Sequence, residues 1–128
     1  AAGVRGIRLK KDDEVVGMNI VQRKQKEGEL LVITKNGYGK RSKLTQYKVQ
    51  KRGGSGIKTA NITLKTGSLV WASVVYEEDL KEDLIIISRK GQIIRIPAKS
   101  IPSLGRATQG VRIMRPKKSD ELSSATLI

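Results

Sequence analysis

The sequence predicts an all-β protein built from repeated four-stranded units. Three observations support this. The 128 residues contain no Phe, and their only aromatics are Trp71 and three Tyr, so the core must be assembled from Ile, Val and Leu. A core rich in β-branched residues suits strands better than helices. Short apolar runs end at glycine-containing turns, as in Leu30-Leu31-Val32-Ile33 before Asn36-Gly37, which is the signature of a hairpin. Finally, these segments recur with a period of about 50 to 54 residues, the mark of a repeat architecture.

Leu30-Leu31-Val32-Ile33-Thr34-Lys35-Asn36-Gly37 returns 54 residues on as Leu84-Ile85-Ile86-Ile87-Ser88-Arg89-Lys90-Gly91. Gly6-Ile7-Arg8-Leu9 returns as Gly56-Ile57-Lys58-Thr59 and as Gly110-Val111-Arg112-Ile113. Val15 to Val21 matches Leu69 to Val75 and Leu122 to Ile128. Each period therefore holds four strands in order: the Gly-Ile-Arg opening, the Val-rich segment, the Leu-Leu-Val-Ile run, and a fourth strand after the turn (39–44 or 92–96). Pro97, Pro102 and Pro116 fall at strand ends or in loops, where a missing N–H does little harm. No helix is expected.

Four strands per fifty-residue period is the pattern of a propeller-like blade. The chain holds about two and a half such blades in a single partial domain, with repeat units near 1–53, 54–107 and 108–128. A closed propeller needs at least four blades, so the expectation is part of a larger domain.

The formal charge is +14, from 26 Lys and Arg against 12 Asp and Glu. Such an excess repels itself in a compact fold and points to an anionic partner, nucleic acid before membrane. The apolar runs are far too short to span a bilayer, no apolar targeting segment opens the sequence, and no amphipathic helix suited to a membrane surface is expected. With no Cys there are no disulfides or thiolate metal sites, which suits a reducing cytosol.

The acids fall in clusters at Asp12-Asp13-Glu14, Glu27 with Glu29, Glu77 to Asp83, and Asp120-Glu121. Mapped on the repeat, they occupy the turns before the second and third strands. Leu30 to Tyr76 holds nine cations and no acid, and so does Leu84 to Ser119. Solvated surfaces normally mix signs. Cations recurring at the third-to-fourth-strand turn and along the fourth strand predict a basic stripe on one side of successive blades, the footprint of phosphate binding. No recognition helix or aromatic stacking platform is visible, so duplex DNA held by its backbone fits better than base readout.

Other motifs weigh less. Ser55-Gly56-Ile57-Lys58 and Lys65-Thr66-Gly67 mimic the S-x-x-K and K-T-G of penicillin-binding-type hydrolases. That chemistry needs Ser and Lys on one helical turn and an S-D-N, both missing here. Without His or Cys the common catalytic triads are excluded, and no phosphate-binding G-x-x-x-x-G-K-[ST] loop is present. The acids lack calcium-loop spacing. Tyr38 and Tyr47 are expected to pack at blade edges, and Trp71 in the core.

The run Lys35 to Lys58 holds eight cations and no acid, and near its end stands Gln50-Lys51-Arg52-Gly53-Gly54-Ser55-Gly56. This heptad resembles the gyrase A box, Q-[RK]-R-G-G-[RK]-G, at six of seven positions. Ala2 to Leu9, Asn36 to Arg41 and Leu104 to Arg112 are similar to that family's blade-to-blade segments. The resemblance is to the C-terminal domain of the gyrase A protein. It implies a β-pinwheel of about six blades whose neighbours exchange strands, a DNA-wrapping role that serves negative supercoiling by an ATP-dependent type II topoisomerase, and a bacterial cytoplasmic, nucleoid-associated location. The chain itself would be non-catalytic and need no cofactor or metal. Its partners would be double-stranded DNA, the gyrase B protein and the rest of the gyrase A protein, with no membrane. Expected phosphate contacts are Lys35, Lys40, Arg41, Lys43, Gln50, Lys51, Arg52, Arg89, Lys90, Arg95 and Arg106, assisted by the N–H groups of Gly53 and Gly54. Ser55 stands where the box has a cation, and the blades resemble later ones of the pinwheel, whereas the box belongs to the first. The related A-type protein of topoisomerase IV, and a propeller-type scaffold for an acidic protein, are the alternatives.

Overall fold

A computed structural model describes residues 1–24 and 27–128. Among the described residues, seven strands form two antiparallel sheets: β1 (Glu29–Thr34), β2 (Tyr38–Lys43), β3 (Leu69–Val75), β4 (Asp83–Ser88), β5 (Ile93–Pro97), β6 (Val111–Arg112) and β7 (Leu122–Leu127). The first sheet has the order β3-β1-β2-β6 and the second β5-β4-β7. The all-β expectation holds, and the only helical pieces among the described residues are short 3₁₀ turns at Leu44–Gln46, Glu77–Lys81 and Ala98–Ser100.

Both hairpins form by the same local chemistry. In the first, Gly37 takes φ +91° and donates its N–H to Thr34 O at 3.1 Å, while the Thr34 hydroxyl accepts the Tyr38 N–H at 3.1 Å. In the second, Gly91 takes φ +88°, its N–H reaches Ser88 O at 3.1 Å, and the Ser88 hydroxyl accepts the Gln92 N–H at 2.9 Å. Only glycine adopts that backbone region without strain, and the Thr or Ser at the turn entrance satisfies the next free donor. The repeat extends to irregularities, because a bulge follows Ile33 in the β1–β3 pairing and Ile87 in the β4–β7 pairing.

The core is aliphatic, as composition requires. Leu31, Ile33 and Val75 of the first sheet meet Leu84, Ile86 and Leu122 of the second, with Ile101 and Met114 from the connections and Trp71 packed at the margin. The edge strands β3 and β7 lie against each other. At the far edge of the first sheet is β6, and β5 borders the second.

Three expected strands do not form. Residues 6–9, 15–21 and 56–59 lack regular strand structure, apart from one parallel bridge between Ile7 and Gly54. The reason lies in how a sheet is assembled. The β1–β2 hairpin comes from the first repeat, β3 from the second and β6 from the third. A Val-rich segment thus joins the hairpin one repeat earlier, and a Gly-Ile-Arg opening joins the hairpin two repeats earlier. For 6–9, 15–21 and 56–59 those earlier hairpins are not in this sequence, and a strand without a neighbour has nowhere to direct its backbone N–H and C=O groups. The described residues form one four-stranded and one three-stranded sheet, each drawing strands from more than one repeat.

Candidate nucleic-acid interface

The thirteen residues expected to meet phosphate separate into three kinds. Four hairpin cations are already matched to carboxylates. Arg41 donates from Nη1 to Glu29 and from Nε to Ile101 O at 2.7 Å, with only 11% of its side chain exposed. One repeat later Arg95 reaches Asp83 at 2.6 Å from a side chain 63% exposed. The two pairs are equivalent, since Arg41 lies opposite Leu31 and Arg95 opposite Ile85, each diagonal to its acid on the same face. Lys35 of the first hairpin and Arg89 of the second converge on Glu121, at 3.9 and 2.9 Å. Next to it, Asp120 accepts the Lys90 and Glu121 N–H groups at 3.1 and 2.8 Å. A hydrogen bond from Ser88, those two N–H groups and the Lys90 charge hold its carboxyl below the usual range, outweighing partial burial.

Two further cations serve the fold. Lys40 is 1% exposed, and its ammonium donates to Gly105 O and Arg106 O at 2.7 Å and to Thr108 Oγ1 at 3.1 Å. It is a strut between β2 and the 104–108 connection and is withdrawn from any rim. Burial, reinforced by repulsion from Arg106, lowers its pKa to about 8. Arg106 donates to Lys58 O at 2.6 Å and lies 5.9 Å from the centre of the Tyr47 ring.

The rest are exposed cations with no ion pair among the described residues: Lys43, Lys51, Arg52 and Lys90, with Gln50 beside them. The heptad turn is laid across the chain's opening. Gly53 donates its N–H to Gly6 O at 2.9 Å, and Arg8 donates its N–H to Gly54 O at 2.8 Å. Gly53 and Gly56 adopt φ +76° and +77°. The Gly53 N–H is therefore engaged within the chain and unavailable to an anion, which corrects its expected role. The same crossing adds two residues absent from the expected set. Arg5 and Arg8, both exposed, are carried on the opening segment that meets Lys51-Arg52-Gly53-Gly54. The recurrence of a cation in the Gly-Ile-Arg openings was the available signal. Four cations and no acid thus share one crossing, a surface that can neutralise successive phosphates.

Lys65 and Arg112 also lie outside the expected set. Arg112 lies across from Tyr38 in the β2–β6 pairing, with its guanidinium 4.8 Å from the ring centre, and Lys65 approaches the same ring at 5.8 Å. No cluster of His, Cys, Asp or Glu suited to a metal is found among the described residues, and none of their helices is long and apolar enough to cross a membrane.

Known proteins resemble this chain along nearly its whole length. The family model described as DNA gyrase C-terminal domain, beta-propeller, matches residues 1–22, 28–75 and 82–128. The gyrase A protein of Staphylococcus epidermidis is 46% identical over 115 residues, covering 90% of this chain and 12% of that protein. The same figures, 46% over 115 residues, hold for the gyrase A protein of Staphylococcus aureus. The chain spans about an eighth of these relatives, 12% of their length. A solved DNA gyrase A C-terminal domain superposes with a TM-score of 0.81 at 26% identity, over 98% of this chain and 41% of that one. The C-terminal domain of DNA topoisomerase IV gives 0.86 at 20% identity, over 99% and 38%; that likeness concerns the fold.

Proposed function

The chain belongs to the family of DNA gyrase C-terminal β-propeller domains, and on that premise we propose that it binds duplex DNA by its phosphates and helps bend it around the domain. In this reading it serves negative supercoiling as a non-catalytic part of a gyrase A protein that works with gyrase B. It requires no cofactor of its own. The observation that carries the proposal is the crossing of the opening segment with the heptad. Arg5, Arg8, Lys51 and Arg52 are gathered there by the Gly53–Gly6 and Arg8–Gly54 hydrogen bonds, with no acid paired to any of them among the described residues.

Bending a duplex costs several kcal/mol per site, and only many phosphate contacts with counterion release offset that. A rim of unpaired lysines and arginines supplies such contacts, whereas the acid-matched hairpin cations supply fewer. The 46% identity to gyrase A proteins favours gyrase over topoisomerase IV as the parent enzyme.

Relaxed circular DNA incubated with the protein and topoisomerase I should become supercoiled, as seen after deproteinisation. Lys51→Glu with Arg52→Glu should reduce that effect. Circles left fully relaxed by the unaltered protein would point instead to a scaffold for an acidic protein partner.

A further inference from the structure

Among the described residues, Lys65 and Arg112 are two cations gathered at one aromatic ring. Lys35, Arg41, Arg89 and Arg95 each meet a carboxylate. Lys65 and Arg112 meet no carboxylate among the described residues, and they share the ring of a single tyrosine.

Arg112 is held by its side chain, and the backbone that carries Lys65 is held by its loop. Tyr38 is 4% exposed, and its hydroxyl accepts a hydrogen bond from Arg112 Nη2 at 3.0 Å. Lys65 is presented by a tightly built loop. Thr66 is fully buried, its hydroxyl accepts the Thr63 N–H at 3.0 Å, and the Thr63 hydroxyl accepts the Thr66 N–H at 3.3 Å. Asn36 Nδ2 donates to Leu64 O and Lys65 O at 3.2 Å, tying the loop to the first hairpin turn. Gly67 takes φ +70° there, and a Cβ at that position would come within 2.5 Å of Lys35 Cγ. The Lys-Thr-Gly triplet is thus explained by loop geometry rather than hydrolysis.

Two cations gathered at one ring repel each other, and an anion that contacts both offsets that repulsion. The ring attracts each cation but cannot neutralise either. Arg112 uses one N–H on the phenol and keeps others in the planar fork that matches a phosphate. The phenol pKa fits this setting: burial raises it, but the hydrogen bonds and charges of Arg112 and Lys65 outweigh burial and bring it below the ordinary value. At the equivalent turn of the second hairpin the residue is Gln92, so the described residues contain this arrangement once.

We propose that Lys65, Tyr38 and Arg112 form a phosphodiester-binding site at the β6 edge of the first sheet, taking one backbone segment of duplex DNA. The site rests on the DNA-wrapping reading and is separate from the heptad crossing. Arg112 supplies bidentate contact, Lys65 a point charge, and Tyr38 holds the guanidinium in register. It binds backbone without reading sequence.

The test is the salt dependence of affinity for a long duplex, measured by fluorescence anisotropy between about 50 and 200 mM salt. Each phosphate contact contributes about 0.9 to the slope of log K against log salt, so Lys65→Gln with Arg112→Gln should lower the slope by about 1, equally for unrelated sequences. Lys99→Gln, an exposed change away from the site, should leave it unaltered. If the double variant fails to fold, Lys65→Gln alone decides, with a smaller fall in the slope expected. A folded variant with an unchanged slope overturns this site while leaving DNA wrapping intact. Failure of the unaltered protein to bind duplex overturns both.

Discussion

Gly37 and Gly91 hold the same place in two successive hairpins, yet the same substitution should cost very different amounts. Their φ angles are +91° and +88°, so Ala at either site meets the left-handed penalty of about 1–2 kcal/mol. At Gly91 nothing lies within 4 Å of the added Cβ, so the cost should end there. At Gly37 the Cβ would stand 1.8 Å from Met114 O and 2.9 Å from Met114 C. Both are backbone atoms, so the whole 113–114 segment must move. It is anchored by hydrogen bonds from Ile113 and Met114 N–H to Gly37 O, at 2.7 and 3.2 Å, each worth about 1 kcal/mol. Moving it also draws Met114, 5% exposed, out of the core, at about 1–2 kcal/mol for partial loss of its burial. Gly37→Ala should therefore cost about 4–6 kcal/mol in urea unfolding, against about 1–2 for Gly91→Ala. Replacement by Asn separates the two contributions, because Asn tolerates positive φ: Gly91→Asn should be nearly neutral and Gly37→Asn still severe. Equal costs at the two glycines would show that β6 does not seat on Gly37 as described.

Further outcomes follow from the ion pairs and the buried lysine. Glu29→Gln should destabilise by about 1–3 kcal/mol, because Arg41 is left half-matched inside the fold. Asp83→Asn, at the exposed equivalent, should change stability by less than about 1 kcal/mol; thermal melts of both variants giving the same loss would contradict the burial difference. Lys40 has a pKa of about 8 in the fold, below its usual 10.5. Between those values the unfolded chain binds the proton that the folded chain has released, so this group's contribution to stability is level below about pH 8 and rises toward pH 10.5. The gap in unfolding free energy between the unaltered protein and Lys40→Met should accordingly widen in favour of the unaltered protein across that window, and a gap independent of pH would count against it. Glu121→Gln should free Lys35 and Arg89, tightening duplex binding and leaving the melting temperature almost unchanged; weaker binding would mean that Glu121 positions these cations instead of restraining them.

The hairpins were legible because everything that closes them is local: Thr34 and Gly37, then Ser88 and Gly91, lie within one turn of each other in the sequence. The acid–arginine pairs were half legible. Glu29 and Arg41 are 12 residues apart, as are Asp83 and Arg95, and that recurrence was in plain view, but period-2 alternation does not say that the acid lies diagonal to the arginine until the register is known. Lys40 was beyond reach. Its neighbours in sequence are a rim-like run of cations, and what draws its ammonium inward is a pair of carbonyls 65 and 66 residues away.

The least legible feature is also the one that explains the others: a blade here is not a unit of the sequence. The first sheet is complete because three successive repeats contribute to it, whereas the second has received only two contributions. Its free edge shows what a fourth strand would bring. Gly37 O accepts two N–H groups from the β6 segment and the Tyr38 hydroxyl accepts Arg112, while beside the equivalent Gly91 there is open space and the buried Gln92 Oε1 makes no hydrogen bond among the described residues. A segment of the pattern Gly-aliphatic-cation, as at Gly110-Val111-Arg112, satisfies these needs together: backbone N–H groups for the Gly91 carbonyl and a side-chain donor for Gln92. The Gly110 opening shows what that tripeptide can do, since it is the closing strand of the hairpin two repeats before it, and the same pattern stands at Gly6 and Gly56.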